Sequence, residues 1–382
     1  MLPYGRQTIE DDDIAAVVAA LKADFLTTGP TVAAFEDAFA AKVGAAHAVA
    51  CANGTAALHL AMLALGIGPG DRVVVPAITF LATANCARYV GAEVMFADVD
   101  PTTGLITPDT LRDALARADG PVKAVLPVHL RGDACELPAL EALARDAGAV
   151  LVEDAPHALG TTATFGNVTE MIGDVRRSAM ATFSFHPVKT IATGEGGMIT
   201  TNDEGVAQRL RTLRSHGMVR PEGCEPWWYE MPEPGFNYRL PDILCALGLS
   251  QLAKLDRFAA RRRALAAAYG EALAPLAPHV VQAASPAWSD PVLHLMSVLI
   301  DFEAAGRTRL EVVEALKARG VGSQVHYIPV SRQPYYVERY GPQDLPGAEA
   351  WYARCLSLPL YPGMADDDVG VVVTALAEAL GL

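Results

Sequence analysis

With 382 residues, 51% of them hydrophobic and 19% charged, the chain holds enough apolar material for a large buried core and is long enough for two or three domains. A formal net charge of −14 excludes a nucleic-acid partner, whose phosphate backbone needs a basic surface, but allows a small anionic ligand held by a few local donors. The six cysteines at 51, 86, 135, 224, 245 and 355 form no C-x-x-C pair and no His/Cys ligand spacing, so they read as reduced, mostly buried thiols, and no metal site is expected.

The N-terminus, MLPYGRQTIEDDD, has no apolar run behind a basic patch, and no window holds eighteen apolar residues without a charge. No membrane span is expected, and the expected location is the cytoplasm. From about residue 50 to 200, short apolar runs alternate with helical patterns. The runs RVVVPAI (72–78), EVMFADV (93–99), KAVLPVHL (123–130), AVLVEDA (149–155), MATFSF (180–185) and GMITTN (197–202) predict strands. TAALHLAMLALGI and LPALEALARDAGA, with apolar spacing near 3.6 and glycine at their ends, predict helices between them. This alternation predicts an α/β fold with a mainly parallel sheet covered on both faces.

A long helix is predicted over 243–273 as a spine between domains. A strand at 293–301, a helix at 308–319 and a closing segment with LSLPLYPGM make a smaller α+β unit. The expected division is a large domain with an N-terminal arm over 1–250 and a small C-terminal domain over 251–382.

The chemistry centres on FSFHPVKTIATGEGGMITTND (183–203), where Lys189 precedes Gly194, Gly196 and Gly197. A nucleotide-phosphate loop has its glycines before the lysine, so that reading fails on order. The other use of an isolated lysine is as an amine that forms a Schiff base with a carbonyl substrate or with pyridoxal phosphate. CANGTAALHLAM opens a helix with Asn53, Gly54 and Thr55, so the amides of Thr55 and Ala56 can hold a phosphate, or the turn is an ordinary N-cap. VLVEDAPHA puts Glu153 and Asp154 directly after a buried strand, where a carboxylate can face a protonated pyridine nitrogen or simply cap a turn. Phe80, just past a strand, is either a stacking ring or core. Ser184 can add a hydroxyl to a phosphate site, and His157 can contact a ring's phenolic oxygen or be a structural histidine.

EDAPHALG, FSFHPVKTIATGEGGMITTND and GFNYRLPDILCALGLSQL resemble the DegT/DnrJ/EryC1/StrS family, pyridoxal-phosphate sugar aminotransferases of the aspartate-aminotransferase fold type I. The likeness runs from YGRQTI to LSLPLYP. It implies that Lys189 carries the Schiff base, that Asp154 pairs with the pyridine nitrogen, and that Phe80 and His157 flank the ring. It also implies that Ser184, Thr55 and Ala56 hold the phosphate, with Asn237 reaching it from the partner subunit of a homodimer with shared active sites. On the substrate side the resemblance implies Tyr4, the loop of Leu26, Thr27, Thr28 and Gly29, and His186, His326 and Tyr327. Arg239 is either a clamp for a glutamate carboxylate or part of an ion pair at the dimer interface.

Within the family, LTTGP (26–30), PWWYEM (226–231), and QVHYIPV followed by QPYY (324–336) are similar to the pseudaminic-acid branch. That branch usually reads EDAAHA and PWYYEM, so Pro156 and Trp228 are departures, and TTATFGNVTEMIGDVRRSAM lacks the usual short GxxVGS form. The implied reaction moves an amino group from glutamate to C4 of a UDP-linked 4-keto-6-deoxy-N-acetyl hexose. The alternatives are another nucleotide-linked keto sugar, of perosamine or bacillosamine type, or a non-catalytic cofactor-binding regulator. Dehydratase relatives carry histidine at the lysine position, so Lys189 argues against a lyase.

Overall fold

β-Branched runs flanked by Gly, Pro and Asp form buried strands here, and the Ala/Leu-rich stretches between them form the covering helices. The computed structural model describes residues 1–382. Helices α1 (Asp11–Leu21) and α2 (Pro30–Val43) precede β1 (His47–Cys51) and α3 (Gly54–Ala64). Then β2 (Arg72–Pro76), α4 (Leu81–Tyr89), β3 (Glu93–Ala97), α5 (Pro108–Ala116), β4 (Val122–Val125), α6 (Leu137–Asp146) and β5 (Val150–Asp154) alternate. A hairpin of β6 (Thr162–Phe165) and β7 (Val168–Met171) leads to β8 (Met180–Ser184), β9 (Gly197–Thr201) and α7 (Glu204–Leu213). Beyond lie α8 (Asp242–Leu252), α9 (Leu255–Leu273), β10 (Val280–Gln282), β11 (Ser289–Asp290), β12 (Met296–Ile300) and α10 (Arg309–Ala318). The chain closes with α11 (Pro334–Tyr340), α12 (Pro346–Arg354), β13 (Cys355–Leu358) and α13 (Asp368–Leu380).

Seven strands form the main sheet in the order β1-β9-β8-β5-β4-β2-β3. The pairs β2–β3, β2–β4, β4–β5 and β5–β8 are parallel, and only β9 runs against its neighbours. Val73, Val74 and Val75 are fully buried, as a strand covered on both faces requires. After β2 the chain moves outward to β3 and returns to β4 on the other side of β2. That reversal opens a crevice at the carboxyl ends of the strands.

All six runs expected as strands are strands. The segment over 161–180, longer than the family form, makes the β6–β7 hairpin and pairs with β11. The helix expected over 243–273 is two helices, α8 and α9. At their joint the Lys254 ammonium sits 3.3 Å from Glu10, 2.5 Å from Asp12 and 2.8 Å from Asp13. Helix α8 packs on α1 and α2, whereas α9 packs on β10 and α13, so one continuous apolar pattern serves two cores. The larger core surrounds the main sheet and also takes Val330, Tyr336 and Trp351. The smaller one lies between the antiparallel sheet β10-β12-β13 and helices α9, α10 and α13, with Leu265, Tyr269, Val312 and Leu376 at its centre. No helix is long and apolar enough to cross a membrane.

Candidate active site

At the carboxyl ends of β2, β4, β5 and β8 lies a cavity of about 880 Å³. Asp154 ends β5, and Ser184 ends β8. Lys189 rides on the turn from β8 to β9, whose base is closed by Phe185 N–H donating to Gly196 O (2.8 Å) and Thr193 N–H donating to Phe185 O (2.9 Å). All three residues line the cavity, with Tyr4, Thr55, Ala56, Phe80, His157, His186, His326 and Tyr327. Gly196 and Gly197 are required for close packing, a Cβ on Gly197 colliding with the carbonyl of Asn53 at the turn that opens α3, whereas Gly194 is needed for its positive φ.

Asp154 is buried, and its Oδ2 accepts a 2.5 Å hydrogen bond from Thr83 Oγ1. Its Oδ1 has no partner within the chain. Burial raises the Asp154 carboxyl, against which the Thr83 hydrogen bond and the nearby Lys189 ammonium work to keep it ionised. Burial pulls Lys189 down to about 8, partly offset by the Asp154 carboxylate. His326 is pushed down to about 3 by burial and by Lys189, and His157 well below its ordinary value for the same reasons, so both imidazoles are neutral. His157 Nδ1 accepts from Arg131 N–H at 3.3 Å, which sets the Nε2–H tautomer, and Nε2 lies 3.5 Å from the Tyr327 hydroxyl.

Phe80 is 56% exposed at the entry to α4, with its ring centroid 6.2 Å from that of Tyr327, so it is a cavity wall and not core. The Asn53 side chain accepts from Ala56 N–H at 2.8 Å, so the expectation of a free Ala56 amide does not hold: the N-cap already satisfies it. Thr55 N–H has no partner within the chain. Gly54 beside it lies so close to β8 that a Cβ there would stand 2.8 Å from Ser184 Cβ and 3.3 Å from Ser184 Oγ.

Other expected site residues stay apart from this cavity. The loop of Leu26, Thr27, Thr28 and Gly29 is drawn onto α8, where Asp242 accepts from Gly29 N–H (2.8 Å) and Thr31 N–H (3.1 Å). Asn237 is exposed, and neither it nor Arg239 lines the chain's own cavity. Thr79, Thr83, Tyr89, Tyr238 and Gln333 line it without having been anticipated. Only Thr79 and Thr83 carried a readable signal, two hydroxyls four residues apart at the entry to a helix.

Residues 7–377 match the DegT/DnrJ/EryC1/StrS aminotransferase family. The chain belongs to this family. It is 41% identical over 389 residues to the spore coat polysaccharide biosynthesis protein SpsC of Bacillus subtilis, covering 99% of this chain and 96% of that protein. Among solved structures it is similar to Helicobacter pylori PseC, an aminotransferase involved in the biosynthesis of pseudoaminic acid, with TM-score 0.91, 26% identity, and 100% and 99% of the two chains covered. It is also similar to DesV of S. venezuelae, with TM-score 0.86, 32% identity and 99% of each chain covered. As a DegT/DnrJ/EryC1/StrS member of fold type I, the protein is a sugar aminotransferase that uses pyridoxal phosphate. The residues present fit that cofactor. They offer an open carboxylate oxygen on Asp154, a lysine amine of lowered pKa, an exposed ring on Phe80, and the unpartnered Thr55 amide in a cradle that a Cβ on Gly54 would fill.

Proposed function

We propose that the protein moves an amino group from glutamate to C4 of a UDP-linked 4-keto-6-deoxy-N-acetyl hexose, in the manner of the pseudaminic-acid branch. The observation that carries the reading is the single cavity shared by Lys189, Asp154, Ser184, His326 and Tyr327, in a chain with the same fold as PseC over its whole length.

Bound pyridoxal phosphate supplies an electron sink that stores the amino group between the two half-reactions. Ser184 and the Thr55 amide would hold its phosphate, Asp154 would pair with its ring nitrogen, Phe80 would cover the ring and His157 would meet its phenolic oxygen. Lys189 Nζ would take up and move the proton from the donor's Cα, which needs an unprotonated amine. With its pKa near 8, about a tenth of such amines are free at pH 7, against roughly one in three thousand for an ordinary lysine. Tyr327, held protonated by burial, donates to the sugar or its phosphates. His186, His326 and Tyr4 line the same cavity and are assigned to the nucleotide sugar.

Lys189 is the only lysine on the cavity wall built by one chain, and no arginine lines it. Glutamate carries two carboxylates and a nucleotide sugar two phosphates. We assign the missing cations and donors to a homodimer in which Asn237, Arg239 and the 26–29 loop of each chain face the neighbour's cavity. Arg239 is in no ion pair within its own chain and is free for this use.

The test is mass spectrometry of products from a panel of UDP- and dTDP-4-keto sugars with glutamate, together with 2-oxoglutarate release. Amination confined to a UDP-4-keto-6-deoxy-N-acetyl hexose supports the reading. The 41% identity to SpsC favours a second reading, another nucleotide-linked keto sugar destined for a surface polysaccharide. Preferred turnover of a dTDP-sugar would select it.

A further inference from the structure

Behind Asp154 lies a short chain of hydroxyls. Thr83 Oγ1 and Asp154 Oδ2 are 2.5 Å apart, and Thr79 Oγ1 is 2.7 Å from Thr83 Oγ1. Thr83 is fully buried, Thr79 and Asp154 nearly so. An ionised carboxylate only accepts, so the Thr83 proton points to Asp154, and the proton between the two threonines must come from Thr79. A hydroxyl bonded to an anion is among the strong hydrogen bonds, and a second hydroxyl behind it polarises the first. Both threonines sit at the entry to α4, where Thr83 N–H donates to Phe80 O at 3.2 Å, so the helix start fixes their direction.

We propose that Thr83 is a positioning residue: its hydroxyl, backed by Thr79, holds Asp154 ionised and turned so that Oδ1 meets the cofactor's ring nitrogen. The inference rests on the reading of Asp154 given under the proposed function. The other titratable groups in electrostatic contact with Asp154 are Lys189, His129, Cys86 and Tyr327, and none donates a hydrogen bond to it. His129 Nε2 instead faces Glu153 at 3.0 Å, and its Nδ1 accepts from Cys135 N–H. Thr83 is therefore the sole hydrogen-bond donor to this carboxylate within the chain. Replacing it by valine keeps the volume, removes the donor to Asp154 and takes from Thr79 Oγ1 its acceptor.

The experiment reconstitutes the full-length apoprotein with pyridoxal phosphate labelled with ¹⁵N in the ring. It reads the ring-nitrogen chemical shift by NMR and the cofactor's dissociation constant by absorbance titration. Thr83→Val should move the ring signal toward the unprotonated value and weaken binding about tenfold to a hundredfold, the size of a lost hydrogen bond to a buried charge. Thr83→Ser should restore both readouts, and Thr79→Val should shift both in the same direction by less. If valine is not tolerated at 83, Thr83→Ala, which overpacks nothing, carries the same expectation. A Thr83→Val protein with the ring signal and affinity of the parent overturns the inference, as does a serine variant no better than valine. Asp154→Asn separates the two levels of the argument. An unchanged ring signal in that variant defeats the reading of Asp154 itself, whereas a shift there with none in Thr83→Val defeats the Thr83 inference alone.

Discussion

Gly54→Ala tests the phosphate cradle through one methyl group. Gly54 has ordinary backbone angles, so no conformational strain is involved, and alanine is the better helix former at the start of α3 by a few tenths of a kcal/mol. The new Cβ, however, would stand 2.8 Å from Ser184 Cβ, 3.3 Å from Ser184 Oγ and 3.6 Å from the Phe183 carbonyl. Ser184 Cβ is fixed to strand β8 and cannot swing away, so either the strand end or the helix start must move. Overpacking of this kind costs about 1–3 kcal/mol, more than the helix gain. The displaced groups are Ser184 Oγ and Thr55 N–H, so the cost falls on cofactor binding as well as on folding. If all of it fell on binding, the apoprotein's dissociation constant for pyridoxal phosphate would rise about five- to 150-fold. Gly370→Ala in α13 is the control, since nothing lies within 4 Å of its Cβ and its backbone is also ordinary. That variant should gain roughly 0.5 kcal/mol of stability and bind the cofactor as the parent does. Equilibrium dialysis of the apoprotein and urea unfolding measure both quantities. If Gly54→Ala matched the parent in affinity and stability, the cradle would not be where this geometry has it.

Lys189→Ala should abolish turnover and the Schiff-base absorbance of the bound cofactor, because no second lysine lines the cavity; transamination near the parental rate would overturn the assignment. Burial lowers the Lys189 pKa, so its reactive amine grows as pH rises toward and through about 8, and stopped-flow capture of pyridoxal phosphate by the apoprotein should show that midpoint, not one above 10. Lys254→Met should destabilise the fold by about 3 kcal/mol in urea unfolding, because it leaves the buried Asp13 carboxylate without its cation at the α8–α9 joint. Mixing Lys189→Ala protein with protein altered at Asn237 should recover roughly a quarter of parental activity after random subunit exchange, since half the dimers are mixed and each holds one intact site. No recovery from two folded, singly inactive variants would mean that Asn237 serves its own chain.

Six strands of the main sheet were legible because strands buried on both faces leave unbroken apolar runs such as RVVVP, and helices such as α3 and α6 leave a 3.6-residue rhythm. Strand β1, HAVAC, was not, since alanine carries little strand preference and no alternation marks it. Lys189, Asp154 and Ser184 were legible for a similar reason: their local context, a strand end followed by a turn, by itself puts a side chain at the carboxyl edge of a sheet. Other outcomes depended on partners far along the chain. Asp242 draws the 26–29 loop away from the cavity across more than 210 residues, Thr83 bonds Asp154 across 71, and Gly54 at the start of α3 meets Ser184 on β8. The break between α8 and α9 depends on which core each half packs against, although the apolar rhythm runs through it unchanged. Periodicity and turn chemistry are local properties of the backbone and are written in the residues themselves. Which donor meets which acceptor is set by the packing of sheet, helices and loops, and that is decided only when the whole chain has folded.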